Sequence, residues 1–398
     1  MIPELKQEIK SLQEEVIRLR RDLHMHPELG FKEFRTSKKI CEYLGALGIE
    51  TQVLAQTGVV GLLKGNGPGP TILLRADMDA LPLQEMIDKP YKSIYDGVAH
   101  GCGHDAHVAM LLVAAKVLSK HRQEFKGNIK FLFQPNEETT DPRAGALVMI
   151  REGVLENPRV DGAFALHVWT DLDSGKIGVV NGAIMAGLEE FELTIFGKGG
   201  HTASPHAAVD PVIAAAKIVD AVQFISTREI NVFNPTIIMF GRIQGGSWRN
   251  VIPEKVELGG TIRYLFEDEE REKAMLKEKF ERIIQGVCLA TRTDYEIKYI
   301  PSNPSMKNAP EMVQFVREAA RETLGGEQSV VEYRVMGGED FAEFTRMVPS
   351  AFYFVGARNK EKGSHYPHHH PLFDIDEDVL LIGVEMHVRS ALAYLNNK

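Results

Sequence analysis

The stretch TILLRADMDALP, residues 71–82, is an almost unbroken apolar run that ends on acids. Apolar residues without alternation suit a strand covered on both faces, so residues 71–77 read as a buried strand of an α/β sheet. Residues 75–82 then lie just past its carboxyl end, where open α/β sheets gather their ligands. Working outward, VVGLLKG (59–65), NIKFLFQ (128–134) and GAFALHV (162–168) read as further strands, and HVAMLLVAAKVLSK (107–120) as a helix among them. Apolar residues at helical spacing (Leu5, Ile9, Leu12, Val16, Leu19, Leu23) predict one long N-terminal helix over 4–23, closed by Pro27, and a second helix covers 35–47. Strands alternating with helices predict a mixed, mostly parallel sheet with helices on both faces.

The pattern changes near Gly187. LEEFELTIFGKGG (188–200) alternates apolar and polar residues, as a strand with one wet face does. A helix over 210–227 follows, then strands in PTIIMFGRIQGG and EKVELGGTIRYLF, a charged helix over 267–285 and a strand in DYEIKYI (294–300). That β-α-β-β-α-β order predicts a small α+β sandwich. PSNPSMKNAP (301–310) reads as a linker. The α/β pattern then resumes with a helix over 311–324, a strand in AFYFVG and a last helix from 377. The expected organisation is a discontinuous larger domain, 1–185 with 302–398, interrupted by a smaller one, 186–301.

Composition narrows the function classes. The 398 residues are 44% hydrophobic and 25% charged, enough for a large core. A net charge of −9 supplies no basic excess to neutralise phosphates, which argues against a nucleic-acid partner. No stretch approaches the ~20 apolar residues of a membrane span. Three scattered cysteines make no disulfide framework, and the charged N-terminus has no signal-peptide core, so a cytoplasmic protein is expected.

Reactive side chains fall at the predicted strand ends. Asp77 and Asp79 follow one strand, Glu137 and Glu138 another, and His167 ends a third. AHGCGHDAHVAM (99–110) adds Cys102, His104, Asp105 and His107 in a glycine loop opening a helix, and SHYPHHHPLFDIDE adds His365, His368, His369 and His370. Each alone has a bland reading: a chance CxH, a solvated acidic doublet, a rim histidine, a surface His tract. Their joint placement at one rim favours a metal hydrolase. Thiolate, imidazole and carboxylate together suit zinc or a similar transition metal better than magnesium or calcium. The donors exceed one tetrahedral site, which points to two metals. Within the Glu137–Glu138 doublet one carboxylate can bind metal while the other takes a proton.

RRDLHMHPELGFKE, LLRADMDALPL, HGCGHDAH, FLFQPNEE, ALHV, GKGGHTASPH, NVIPEKVELGGTIR, GGEDFAEF and HHHPLFDIDE occur in that order along nearly the whole chain. Together they resemble the two-metal aminoacylase/carboxypeptidase family of zinc metallopeptidases. The closer likeness is to its N-acyl-amino-acid amidohydrolase branch, which includes hippurate hydrolases, indole-acetyl-amino-acid hydrolases and thermostable carboxypeptidases. The resemblance implies two divalent transition metals per subunit, zinc first, with manganese, cobalt or nickel as alternatives. It implies the ligands Cys102, His104, Glu138, His167 and His369, with Cys102 bridging and Glu137 as general base. His369 is selected from its His neighbours because the family histidine stands two before a proline, here Pro371.

Asp77 stands where related branches carry a histidine ligand, so Asp77 and Asp79 are expected to orient ligands from behind. The inserted domain is expected to act as a lid and to form a homodimer or dimer-based oligomer. Its His201 would reach the partner subunit's site and steady the oxyanion, while Asn250 and Arg263 would hold the substrate's carboxylate. The run TTDPRAG (139–145) replaces the glycine-rich segment expected after the acidic doublet. The expected reaction is hydrolysis of N-acyl amino acids. The alternative is a metallocarboxypeptidase acting on short or N-blocked peptides, and the rival of another class is a non-catalytic binding protein of the same fold.

Overall fold

A computed structural model describes residues 4–139 and 144–397. Residues 140–143, inside the TTDPRAG run, lie outside the described residues. By compactness the chain divides into two units. The first comprises Met1–Ile184, Met306–Arg334 and Glu339–Lys398; the second comprises Met185–Ser305 and Val335–Gly338.

The first unit is built on an eight-stranded sheet. Its strands are β1 (Glu50–Leu54), β2 (Gly58–Lys64), β3 (Thr71–Asp77), β4 (Asn128–Gln134), β5 (Gly162–Asp173), β6 (Ile177–Gly178), β11 (Val330–Val331) and β12 (Ser350–Arg358). The spatial order is β1-β2-β4-β3-β5-β12-β6-β11. The central four, β4-β3-β5-β12, run parallel, while β1 and β2 add an antiparallel edge. Every residue of β3 is buried, as its apolar run requires. The helices are α1 (Leu5–Ser11), α2 (Gln13–Met25), α3 (Phe34–Ala46), α4 (His104–Lys120), α7 (Pro310–Leu324) and α8 (Val379–Asn397). Among them α4 is buried almost throughout. Because β3, β4 and β5 run parallel, their carboxyl ends share one rim, and α4 begins at His104.

Two expectations need correction in this unit. The single helix predicted over 4–23 is two, broken at Leu12, whose N–H bonds back only three residues to Ile9. Leu12 stays buried, so the apolar spacing runs across the break and periodicity cannot see it. The predicted linker also contains a short strand, Met306–Asn308. Its Pro/Asn/Ser composition reads as a loop, but Asn308 is buried: its side chain donates to Val180 and Phe352 carbonyls and accepts from Phe352 N–H.

The second unit carries β7 (Gly187–Phe196), β8 (Thr236–Gly245), β9 (Lys255–Tyr264) and β10 (Asp294–Pro301), with α5 (Pro211–Ala221) and α6 (Glu269–Thr291). The sheet order is β8-β9-β7-β10, antiparallel throughout. Phe191, Leu193 and Ile195 of β7 pack with Ile218 of α5 and Phe280 and Ile284 of α6. The helix expected over 210–227 stops at Ala221 and gives way to a wider turn at Ile225–Glu229. The helix expected to end at 285 runs on to Thr291, where Arg292 closes it at φ 60°. No helix among the described residues is long and apolar enough to cross a membrane.

Leu112 on α4 is completely buried. Leu112→Ala should therefore cost about 2–5 kcal/mol of stability, read as a lower urea midpoint at unchanged slope. A cost within about 0.5 kcal/mol, the range of surface substitutions, would contradict the placement of α4.

Candidate metal centre

The rim gathers its side chains from separate segments. Asp77 and Asp79 follow β3, Cys102 and His104 open α4, Glu137 and Glu138 follow β4, His167 lies on β5, and His369 sits in the loop before α8. Cys102, His104 and Glu138 present donor atoms that all lie within 4.8 Å of one another, and so do Asp77, His104, His107 and His167. Cys102 Sγ is 3.4 Å from His167 Nε2, and His369 Nε2 is 3.3 Å from Glu138 Oε1. His104 Nε2 is 3.9 Å from the same oxygen.

Hydrogen bonds decide which nitrogen each ring offers. His104 Nδ1 donates to Asp79, at 2.9 Å from its carbonyl and 3.2 Å from Oδ1, which leaves Nε2 free. His167 Nδ1 donates to Val168 O at 2.7 Å, and its Nε2 faces Cys102. Asp79 Oδ2 also accepts the Glu138 N–H at 3.0 Å, so one carboxylate braces both a histidine and the acidic turn.

Asp77 differs from its expectation. It lies against His107, Oδ1 to Nδ1 at 2.5 Å, while its Oδ2 takes the Arg75 guanidinium at 2.6 Å. His107 Nε2 in turn accepts the Val168 N–H at 2.9 Å. Both nitrogens of His107 are thus engaged, and it locks α4 to β5 rather than offering a donor. The His tract separates in the same way. His368 Nε2 donates to Val168 O, and His370 Nδ1 accepts from Leu372 N–H. Only His369 of the three turns its ring to Glu138, on a backbone at φ 65°.

Sequence reading missed the charge network beside this group. Arg75, wholly buried within β3, meets Glu339 at 2.9 Å, Asp340 at 3.1 Å and Asp77 at 2.6 Å. Gln134 donates to Asp340. Glu137, Glu339 and Asp340 form a third close acidic group. The available signals were an arginine inside an apolar strand and the acids of GGEDFAEF.

The electrostatics follow from burial and like charge. Burial, then Glu339, Glu138 and Asp340, push the Glu137 carboxyl well above the usual carboxylate range. Burial and the neighbouring carboxylates likewise hold the Cys102 thiol up. Burial opposes charge on His104, but Asp77, Asp79 and Glu138 outweigh it and raise the ring to about 10. Burial and neighbouring histidines keep His167 neutral, well below its ordinary value.

The donor set fits divalent metal. Ligand atoms 2.0–2.3 Å from a common tetrahedral ion stand about 3.3–3.8 Å apart, close to the separations above. His104 Nε2 and Glu138 Oε1 are buried without a hydrogen-bond partner. Buried polar atoms are rarely left so, and facing ones are what a cation would satisfy.

Residues 73–393 match the family model described as peptidase family M20/M25/M40. The chain belongs to this family. It is 38% identical over 400 residues to thermostable carboxypeptidase 2 of Saccharolobus solfataricus, covering 100% of this chain and 99% of that one. It is 37% identical to the N-acetylcysteine deacetylase of Bacillus subtilis, over 97% of this chain and 98% of the relative. Among solved structures, a YXEP protein of Bacillus subtilis, described as a dinuclear metal binding peptidase from the M20 family, superposes with a TM-score of 0.84. That pair is 34% identical, over 98% and 100% of the two chains. The chain is accordingly a metal-dependent hydrolase, with acyl-amino-acid hydrolases and carboxypeptidases among its relatives.

The second unit holds the other predicted residues. His201 is exposed and pairs with Val251 across two short strands. Its Nδ1 accepts the Ala203 N–H at 3.0 Å, which leaves the proton on Nε2. His201 and Asn250 line one cavity of about 710 Å³ with Gln244 and Glu254. Arg263, half-buried on β9, is not among its lining residues and donates to Met336 O at 2.9 Å.

The backbone at His369 offers a test that needs no metal. Glycine adopts a positive φ freely, whereas other residues pay about 1–2 kcal/mol there. His369→Gly should therefore be more stable to urea than His369→Ala by about 1 kcal/mol, the reverse of the usual order. Equal midpoints would place His369 in an ordinary conformation.

Proposed function

We propose that this protein hydrolyses the amide bond of N-acyl amino acids to a carboxylic acid and a free amino acid, using two divalent transition metals per chain, zinc foremost. The observation that carries the reading is the pair of buried, unpartnered atoms, His104 Nε2 and Glu138 Oε1, facing Cys102 across a gap of metal-ligand size. The proposed ligands are Cys102, His104, Glu138, His167 and His369, with the Cys102 thiolate shared. Bound there, the cations supply Lewis acidity to the amide carbonyl and lower the pKa of the attacking water.

The chain's own groups do the rest. Glu137 takes the water's proton and passes it to the amine nitrogen as the C–N bond breaks. Its raised affinity for protons suits a group that must hold one between those steps. His201, with its proton on Nε2, donates to the developing oxyanion. Asn250 and Arg263 receive the substrate's carboxylate, for which a guanidinium fork is well shaped. β8, at the edge of its sheet, exposes Ile237, Met239 and Ile243. Such an edge invites pairing with a second copy, and supports a homodimer through this unit. The net charge of −9 supports a protein without a nucleic-acid partner, and three free cysteines support a reducing, cytoplasmic setting.

A second reading, release of C-terminal residues from short or N-blocked peptides, is favoured by the relatives named thermostable carboxypeptidases. A screen of N-acyl amino acids against blocked dipeptides, scored by released amino acid, separates the two. Glu137→Gln should bind the full metal complement yet lose about 10²-fold or more in turnover. Near-normal turnover at full metal content would remove Glu137 from its role.

The dimer reading has its own test. If His201 serves the partner's site, a mixed dimer of His201→Ala and Glu137→Gln chains has one site with both defects and one with neither. Co-expressed chains should then recover up to half the parental activity per mixed dimer. If mixed dimers form and recover nothing, His201 acts within its own chain.

A further inference from the structure

The N-terminal motif RRDLHMHPELGFKE contributes no donor, yet its side chains are among the most deeply buried polar groups of the first unit. Arg20, His24 and Glu33 are completely inaccessible. Each reaches a segment that carries a proposed ligand or the base.

Arg20 Nε donates to Asp105 at 2.8 Å, one residue beyond His104. The same guanidinium reaches Asp374 at 2.9 Å and Glu377 at 3.4 Å, in the loop that follows His369. His24 adds a second tie to Asp105 at 2.8 Å and another to Glu85 at 2.7 Å. The Glu28 carbonyl accepts the N–H of Ala80, next to Asp79. Glu33 Oε1 accepts the N–H of Asn136 at 3.0 Å, directly before the Glu137–Glu138 doublet, while its Oε2 takes the Thr57 hydroxyl. Asn136 is left-handed at φ 51°, and a Cβ on Gly30 would fall 1.9 Å from its side-chain oxygen.

We propose that residues 20–33 form a brace that fixes three donor-bearing segments, those of His104, Glu138 and His369, and the Asp79 turn relative to one another, with Arg20 and Glu33 as its positioning residues. The inference rests on the metal reading above. The geometry explains why the segment must be buried and charged. Backbone bonds already tie some of these segments, His369 N–H to Gly101 O and a reciprocal pair between Leu81 and Ala99, and the brace adds side-chain ties that span several segments at once. A planar guanidinium presents its donors in a rigid fork and so holds two loops at a set angle, whereas the donors of an ammonium rotate. A carboxylate that accepts a backbone N–H in a left-handed turn fixes the direction in which the following residues leave.

The test is cobalt titration of the metal-free full chain, followed by the visible and thiolate charge-transfer spectrum and by stoichiometry. Glu33→Ala should stay folded, by circular dichroism, and bind cobalt about 10–100-fold more weakly, with an altered spectrum. Glu33→Gln keeps an oxygen for Asn136 and should restore the parental spectrum. Arg20→Lys keeps the charge but loses the fork. It should weaken cobalt binding like Glu33→Ala, and it reads the other end of the brace if Glu33→Ala does not fold. Glu15→Ala serves as control. It removes contacts of the same kind, to Tyr43 and Lys116, on the same helix as Arg20, and should leave the spectrum unchanged.

Parental affinity and spectra in both Glu33→Ala and Arg20→Lys would overturn the brace while leaving the metal site intact. A change in Glu15→Ala as large as theirs would overturn it too, by reducing the effect to general stability. A parent chain that binds no cobalt would instead overturn the metal reading, and the brace with it.

Discussion

Burying negative charge at one end of a sheet is the constraint on which the rest of this structure depends. Asp77, Asp79, Glu137, Glu339 and Asp340 are all buried at that rim, and Glu138 nearly so. Two like charges 4 Å apart repel by about 4 kcal/mol at an effective dielectric of 20. Arg75 answers part of this, pairing with Asp77, Glu339 and Asp340 from inside β3. The remaining part, around Glu138 and Asp79, meets no guanidinium or ammonium among the described residues; its countercharge is a proton on His104, held up to about 10. A divalent cation bound there would take the place of that proton and supply more charge. The side that Arg75 serves is then the side that needs no metal, although its three acids lie close enough to hold one.

The acidic doublet shows how one backbone feature serves two chemistries. Asn136 turns the chain through a left-handed conformation just past β4. Glu138 then faces Cys102, His104 and His369, while Glu137 faces Glu339 and Asp340. One carboxylate sits among soft and imidazole donors. The other sits among like charges, which raises its proton affinity, and Arg75 stands near enough to limit that rise. Neighbours in sequence become different in chemistry because their adjacent side chains leave the turn in different directions.

What the sequence made legible was local. β3 and β4 were read to the residue, because a strand buried on both faces leaves a continuous apolar run and its ends are marked by charge and Pro/Gly. The β-α-β-β-α-β order of the second unit was legible too, beginning from the alternation of LEEFELTIF in β7. The break at Leu12 was not, since burial continued through it. The ligand candidates could be listed from strand ends, but His368, His369 and His370 are alike in sequence. They part only when Val168 O, Glu138 and Leu372 N–H each claim a ring. His107 carried a signal at i, i+3 from His104, on the same helix face; nothing local told that Val168 N–H occupies its second nitrogen. Two of the acids that pair with Arg75, Glu339 and Asp340, lie 264 and 265 residues away, and no periodicity reports such a distance.

The same hydrogen bonds make the two proposed metal positions unequal. His104 and His167 both keep the proton on Nδ1 and present Nε2. Behind His104, however, stands the Asp79 carboxylate as well as a carbonyl, whereas behind His167 stands the Val168 carbonyl, shared with His368. A carboxylate behind an imidazole makes it the more basic ligand. The His104 ring also lies beside Glu138, and the His167 ring lies against the rings of His107, His368 and Trp169. Cys102 Sγ stands within reach of both histidines and is a donor that could be common to the two positions.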